Sequence, residues 1–148
     1  ALAHRRFSAL LQYRHRVKWE QHTESLAAES FDLAYSAGVF HHIAPDQRQF
    51  AFEKILHSLK RGGLFALFEN NPWNPGTRWV MSRIPFDRDA ICLTPTESRA
   101  RLQTAGFELL DTQYLFFFPR PLAGLRVAER YLHHLPLGAQ YLVLARRP

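Results

Sequence analysis

The sequence predicts an α/β fold, an open and mostly parallel sheet flanked by helices, on three observations. Compact apolar runs suited to buried strands alternate with segments of helical periodicity. Glycine, proline and capping residues fall at the junctions between them. The 148 residues suffice for one hydrophobic core and are too few for two, so residues 1–148 read as a single domain.

Each element has its own signal. Residues 4–14 predict a short helix with Phe7, Leu10 and Leu11 on one face, and Val17 to Trp19 a short strand. Glu20 to Ser30 is polar and reads as loop, and Phe31 to Ser36 is a compact apolar run suited to a buried strand. A helix follows, with Pro45 in its first turn and Phe52, Ile55, Leu56 and Leu59 at i, i+3, i+4 and i+7. Lys60 and Arg61 place positive charge at its end, and Gly62-Gly63 provides a left-handed cap. Leu64 to Phe68 is continuously apolar, the pattern of a strand buried on both faces.

Residues 70–93 are broken by Pro72, Pro75, Gly76 and Pro85, with a helical turn near Thr77 to Arg83. Thr94-Pro95-Thr96-Glu97 is a capping box with proline at the first helical position; its helix runs to Ala105 and stops at Gly106. Phe107 to Phe118 reads as strand, Leu122 to His133 as helix, and Gln140 to Ala145 as the last strand.

Composition excludes several classes. Hydrophobic residues at 47% and charged residues at 22% rule out a disordered or fibrous chain. No apolar run reaches the roughly 18–20 residues that cross a bilayer, and no signal peptide is recognisable. The single cysteine, Cys92, excludes an internal disulfide framework and a cysteine-rich zinc site, and suits a reducing cytoplasm. The net charge of +6 is spread over scattered positions, none longer than a pair such as Lys60-Arg61. That is the pattern of solvated faces, and nucleic acid is not an expected partner.

The stretch from Phe31 to Ile43, with its Phe-Asp opening and Phe40-His41-His42 close, resembles the fourth-strand region of small-molecule class I S-adenosylmethionine-dependent methyltransferases. Leu59 to Glu69 is similar to that family's helix end, Gly-Gly turn and fifth strand. Glu69-Asn70-Asn71-Pro72-Trp73-Asn74-Pro75 resembles the Glu-X-Asn-Pro-X-Asn-Pro loop of one subgroup, and Thr94 to Phe107 the family's late helix ending Ala-Gly-Phe. The resemblance implies a partial Rossmann-like class I methyltransferase fold whose last strand is antiparallel. It also implies S-adenosylmethionine as cofactor and a small-molecule acceptor.

One departure stands against it. The family's glycine-rich cofactor loop and the acidic residue after its second strand have no counterpart, since none of the seven glycines precedes Gly38. By that comparison the chain corresponds to the C-terminal two-thirds of a methyltransferase domain. Strand four would then be an exposed apolar edge, where a second copy of the chain could pair, and residues 1–30 would pack abnormally or rely on another chain. A rival reading is a non-catalytic remnant or interaction module that keeps the fold, so enzymatic activity is an open question at this level.

The resemblance also places the candidate site residues. Gln21, His22 and Thr23 follow the third strand, where the adenine is held. Ser36, Ala37 and Gly38 end the fourth strand, where small residues let a cofactor approach the backbone and where open α/β sheets bind ligands. His41, Glu69, Asn70, Asn71 and Trp73 are candidates for the acceptor side, with Trp79 and Phe86 as further apolar lining. Adjacent residues do not share a face, so His41-His42 is not expected to bind a metal, and no metal site is expected elsewhere. No catalytic residue is assigned, because transfer from a sulfonium asks mainly for alignment and exclusion of water.

Overall fold

Residues 27–87 and 89–148 are described by a computed structural model. The expected helix at 4–14, the strand at Val17 to Trp19 and the candidates Gln21, His22 and Thr23 lie outside the described residues. Among those described, four strands form one sheet in the order β1-β2-β4-β3. They are β1 (Phe31–Ala37), β2 (Leu59–Asn70), β3 (Glu108–Leu115) and β4 (Gln140–Arg146). β1 runs parallel to β2, whereas β4 is antiparallel to both β2 and β3. β1 lies at one end of the described sheet, and the last strand is antiparallel, as the resemblance implied.

Alternation along the strands decides where the core lies. Phe65 and Leu67 of β2 and Tyr141, Val143 and Ala145 of β4 are fully buried on one face. Helices α1 (Arg48–Ser58), α2 (Pro75–Met81) and α3 (Pro95–Ala105) follow one another along the chain, and α1 and α3 cover that face with Phe52 and Leu102. Aromatic contacts bind these layers. Phe40 stacks on Phe52 at 4.2 Å, Phe52 meets Phe65 edge-on at 6.3 Å, and Phe65 reaches Phe107 at 5.7 Å. The opposite face is only partly covered, with Leu64, Ala66 and Phe68 half-buried and Leu33 and Tyr35 exposed. Within Leu64 to Phe68, expected to be buried on both faces, the alternate residues Phe65 and Leu67 are fully buried and Leu64, Ala66 and Phe68 only half-buried, and the described helices that pack on the sheet lie on the first of these faces.

Two helix boundaries differ from expectation for tertiary reasons. Pro45 lies in a turn ahead of α1, which starts at Arg48 behind Gln47. Lys60-Arg61-Gly62-Gly63 belongs to β2 rather than to a helix cap. Gly62 has φ +78° and forms an irregular step in which the pairing jumps from Phe31↔Leu59 to Leu33↔Leu64. A Cβ on Gly63 would sit 2.8 Å from the Lys60 carbonyl, so only glycine fits there. The last carbonyls around α1 are met by the Arg147 guanidinium, which donates to Leu56, His57 and Leu59.

Helix α3 forms where its local signals put it. Thr94 Oγ1 accepts from the Glu97 N–H at 3.0 Å, and Gly106 takes the left-handed conformation at φ +102°. The expected strand to Phe118 ends at Leu115, since Phe116 turns the chain at φ +59°. The expected helix at Leu122 to His133 is instead a 3-10 stretch at Arg120–Ala128 followed by one helical turn. Leu122 breaks the helical dihedrals, and Leu125 and Val127 stay exposed, so no apolar face rewards a longer helix. No helix among the described residues is long and apolar enough to cross a membrane.

Arg48 at the start of α1 ties this scaffold to the loop beyond β2. Fully buried, it donates from Nε to the Ile43 carbonyl at 2.9 Å and from Nη2 to the Ile91 carbonyl, and it pairs with Glu97 at 3.4 Å. Arg48→Ala removes a buried guanidinium and its bonds to the Ile43 and Ile91 carbonyls and should lower unfolding stability by about 2–4 kcal/mol, read by urea denaturation.

Candidate functional site

Polar groups converge where β1 and β2 end side by side. The Gly38 N–H donates to the Phe68 carbonyl at 2.9 Å, and Gly38 then turns the chain at φ +65°. The next residues, Phe40–His42, make one 3-10 turn. No side chain from its own N-terminus caps that turn. Glu69, fully buried near the end of β2, does so from across the sheet. Its Oε1 accepts from the Val39 N–H at 3.0 Å and the Phe40 N–H at 2.7 Å, and its Oε2 lies 2.6 Å from His41 Nδ1.

Beyond the turn, the Ile91 N–H donates to the His41 carbonyl at 2.9 Å, pinning the loop that carries a short 3-10 turn at Pro85–Asp87. Phe86 leans on the His42 ring at 4.4 Å. Asp87 Oδ1 lies 3.6 Å from His41 Nε2 and 3.4 Å from His42 Nε2. Contrary to the expectation from adjacency, the two imidazoles thus address the same carboxylate, with ring centroids 4.1 Å apart. These groups border an open cavity of about 290 Å³ whose floor is Ala37, Gly38 and Phe68, with Asn70 and Gln140 on the far side.

Hydrogen bonding to Glu69 raises the His41 pKa from its ordinary value of 6.5; burial opposes the rise, and the charges of Glu69 and Asp87 add to it.

The sequence candidates divide sharply. Ala37, Gly38, His41 and Asn70 line the cavity together. Ser36 does not line it, and its hydroxyl is buried without a hydrogen-bond partner. Glu69 has both oxygens engaged by the turn and acts on the cavity through His41. Asn71, fully buried, donates to the carbonyls of Pro136 and Gly138 and accepts from the Trp73 N–H. Its side chain straps the loop before β4 rather than facing the cavity. Asn74 caps helix α2 (Pro75–Met81) by accepting from the Thr77 N–H at 3.0 Å, and it reaches the Leu137 carbonyl. Trp73 and Trp79 are about half exposed and do not line the cavity.

Sequence reasoning missed Asp87 and Gln140. Gln140 opens an otherwise apolar strand and donates to Asn70 Oδ1 at 3.1 Å, a polar residue that a strand pattern can flag. Asp87 sits in an irregular loop with no periodicity to single it out.

The His41 environment has a measurable sign. A histidine whose folded pKa is raised adds stability that is full below pH 6.5 and is lost as pH rises through the folded value. The His41 ring should therefore titrate above 6.5 by NMR, and its midpoint should fall in Glu69→Gln. Unfolding stability should lose that contribution over the same window, between 6.5 and the measured midpoint.

Residues 5–67 match the family model described as a methyltransferase domain. No curated protein matches the chain. Among solved structures, a SAM-dependent methyltransferase from Archaeoglobus fulgidus is similar, with a TM-score of 0.66 and 14% identity, over 88% of this chain and 66% of that one. A SAM-dependent methyltransferase from Thermotoga maritima gives 0.69 and 18%, over 97% and 69%. The 1,6-didemethyltoxoflavin-N1-methyltransferase of Burkholderia thailandensis, with 1,6-didemethyltoxoflavin and S-adenosylhomocysteine bound, gives 0.58 and 23%, over 95% and 55%. The chain spans about two thirds of the length of the first two and less of the third. With its family match across residues 5–67, the chain has the fold of the class I S-adenosylmethionine-dependent methyltransferases.

Proposed function

We propose that this chain serves S-adenosylmethionine-dependent methyl transfer to a small-molecule acceptor at the cavity beyond the carboxyl ends of β1 and β2. The observation that carries the reading is the cavity floor. Ala37 and Gly38 present backbone and almost no side chain at the mouth of two parallel strands, where ligands of open α/β sheets bind. A Cβ on Gly38 would meet only His41 Cε1, at 3.6 Å, so the space beside its backbone is open.

These residues fit the inner end of the cofactor. S-adenosylmethionine, when bound, supplies a methyl group already activated by its sulfonium. The chain's own residues do the rest. Ala37 and Gly38 allow close approach, Phe68 adds apolar surface beside them, and Asn70, Gln140 and the exposed edge of His42 offer polar contacts to an acceptor. Glu69 fixes His41 through Nδ1, which leaves Nε2 turned toward Asp87 at the cavity wall. A cavity of about 290 Å³ is of the size that takes a small acceptor. The Burkholderia enzyme, with a small heterocycle and S-adenosylhomocysteine bound together, sets a precedent on this fold.

Calorimetric titration of S-adenosylhomocysteine into the 148-residue chain tests the reading. One-site binding is expected. Ala37→Leu, at an exposed and unstrained position, should weaken it about tenfold or more by filling the floor, with thermal stability unchanged. A folded chain that binds no S-adenosylhomocysteine would instead favour a non-catalytic interaction module.

A further inference from the structure

Three side chains at the cavity wall bring possible metal-donor atoms close together. One ring nitrogen from each of His41 and His42 and a carboxylate oxygen of Asp87 lie within 4.8 Å of one another, and the Nε2 atom of each ring approaches Asp87 Oδ1. The two imidazole–carboxylate distances, 3.6 and 3.4 Å, are long for hydrogen bonds. They match the spacing that a shared ion imposes. Donors bound about 2.0–2.2 Å from a tetrahedral zinc lie roughly 3.3–3.6 Å apart.

We propose that His41, His42 and Asp87 form a site for a divalent first-row transition metal of the zinc or cobalt type. Two imidazoles and one carboxylate are the donor set such ions take. Glu69 holds His41 Nδ1 at 2.6 Å, which fixes the tautomer that leaves Nε2 as the lone-pair donor. Phe86 packs on His42 and limits its rotation. Three protein ligands leave a coordination position open, and all three residues border the cavity. The fourth ligand is therefore water or an oxygen, nitrogen or sulfur atom of a molecule in that cavity. Nothing in this inference depends on methyl transfer.

The chain contains its own control. His133 and His134 are also adjacent, with rings 4.0 Å apart, yet His133 Nδ1 is taken by the Arg130 carbonyl. Among the described residues, no acidic side chain joins them in a three-donor group.

The test is a Co(II) titration of the tag-free, chelator-treated chain, followed by visible absorption, with Zn(II) as competitor. Wild type should bind a single Co(II) that Zn(II) displaces. His42→Ala and Asp87→Asn lie at partly exposed positions, and circular dichroism checks that both fold. Each should weaken binding more than about tenfold, while a His133→Ala/His134→Ala double variant should bind as wild type does. Absence of saturable binding in wild type would overturn the site, as would unchanged affinity in folded His42→Ala and Asp87→Asn. Loss of binding in the His133/His134 variant alone would overturn it too.

Discussion

The site is organised around a buried carboxylate. Glu69 is withdrawn from water near the end of β2, a position that costs several kcal/mol for a charged group unless donors surround it. Here the Val39 and Phe40 N–H groups and His41 Nδ1 supply them. Charge-assisted bonds of this kind are short and strong, and these measure 2.6–3.0 Å. The carboxylate thus replaces a missing N-terminal cap for the turn after β1 and sets the orientation of the imidazole that faces the cavity. One side chain joins the sheet to the site.

The surrounding walls follow from other buried polar residues with equally specific tasks. Arg48 links the start of α1 to the Ile43 and Ile91 carbonyls, so the loop bearing Phe86 and Asp87 is carried by the helical layer. Asn71, Asn74 and Thr77 donate to carbonyls between Pro136 and Ala139, which fixes the approach to β4 and hence Gln140. The apolar core below is continuous with both, through the stacked Phe40 and Phe52. The cavity is therefore bounded by segments far apart in sequence, each anchored by its own hydrogen bonds.

Legibility in the sequence tracks how local the physics is. The helix from Pro95 to Ala105 carries its cap, proline and terminal glycine within thirteen residues, and it forms where those signals say. The alternation of elements and the small residues ending β1 were readable for the same reason. Gly62-Gly63 was not, since a glycine pair after a helical pattern reads as a cap, whereas here it makes a strand irregularity held by Arg147 from the far end of the chain. Asn71 looked like a ligand contact because it follows the right strand, but burial committed its amide to Pro136 and Gly138. The meeting of His41, His42 and Asp87 is tertiary throughout. A 3-10 turn tilts two neighbouring rings together, and an aperiodic loop delivers the acid.

Glu69 builds the turn that frames the cavity, and amide hydrogen exchange reports on that turn residue by residue. In wild type the Val39 and Phe40 N–H groups should exchange as slowly as their neighbours in the β1–β2 ladder. In Glu69→Ala they should exchange at loop rates while the amides pairing β2 with β4 stay protected. Fast exchange of both amides in wild type, or protection unchanged by the substitution, would mean that Glu69 does not hold the turn.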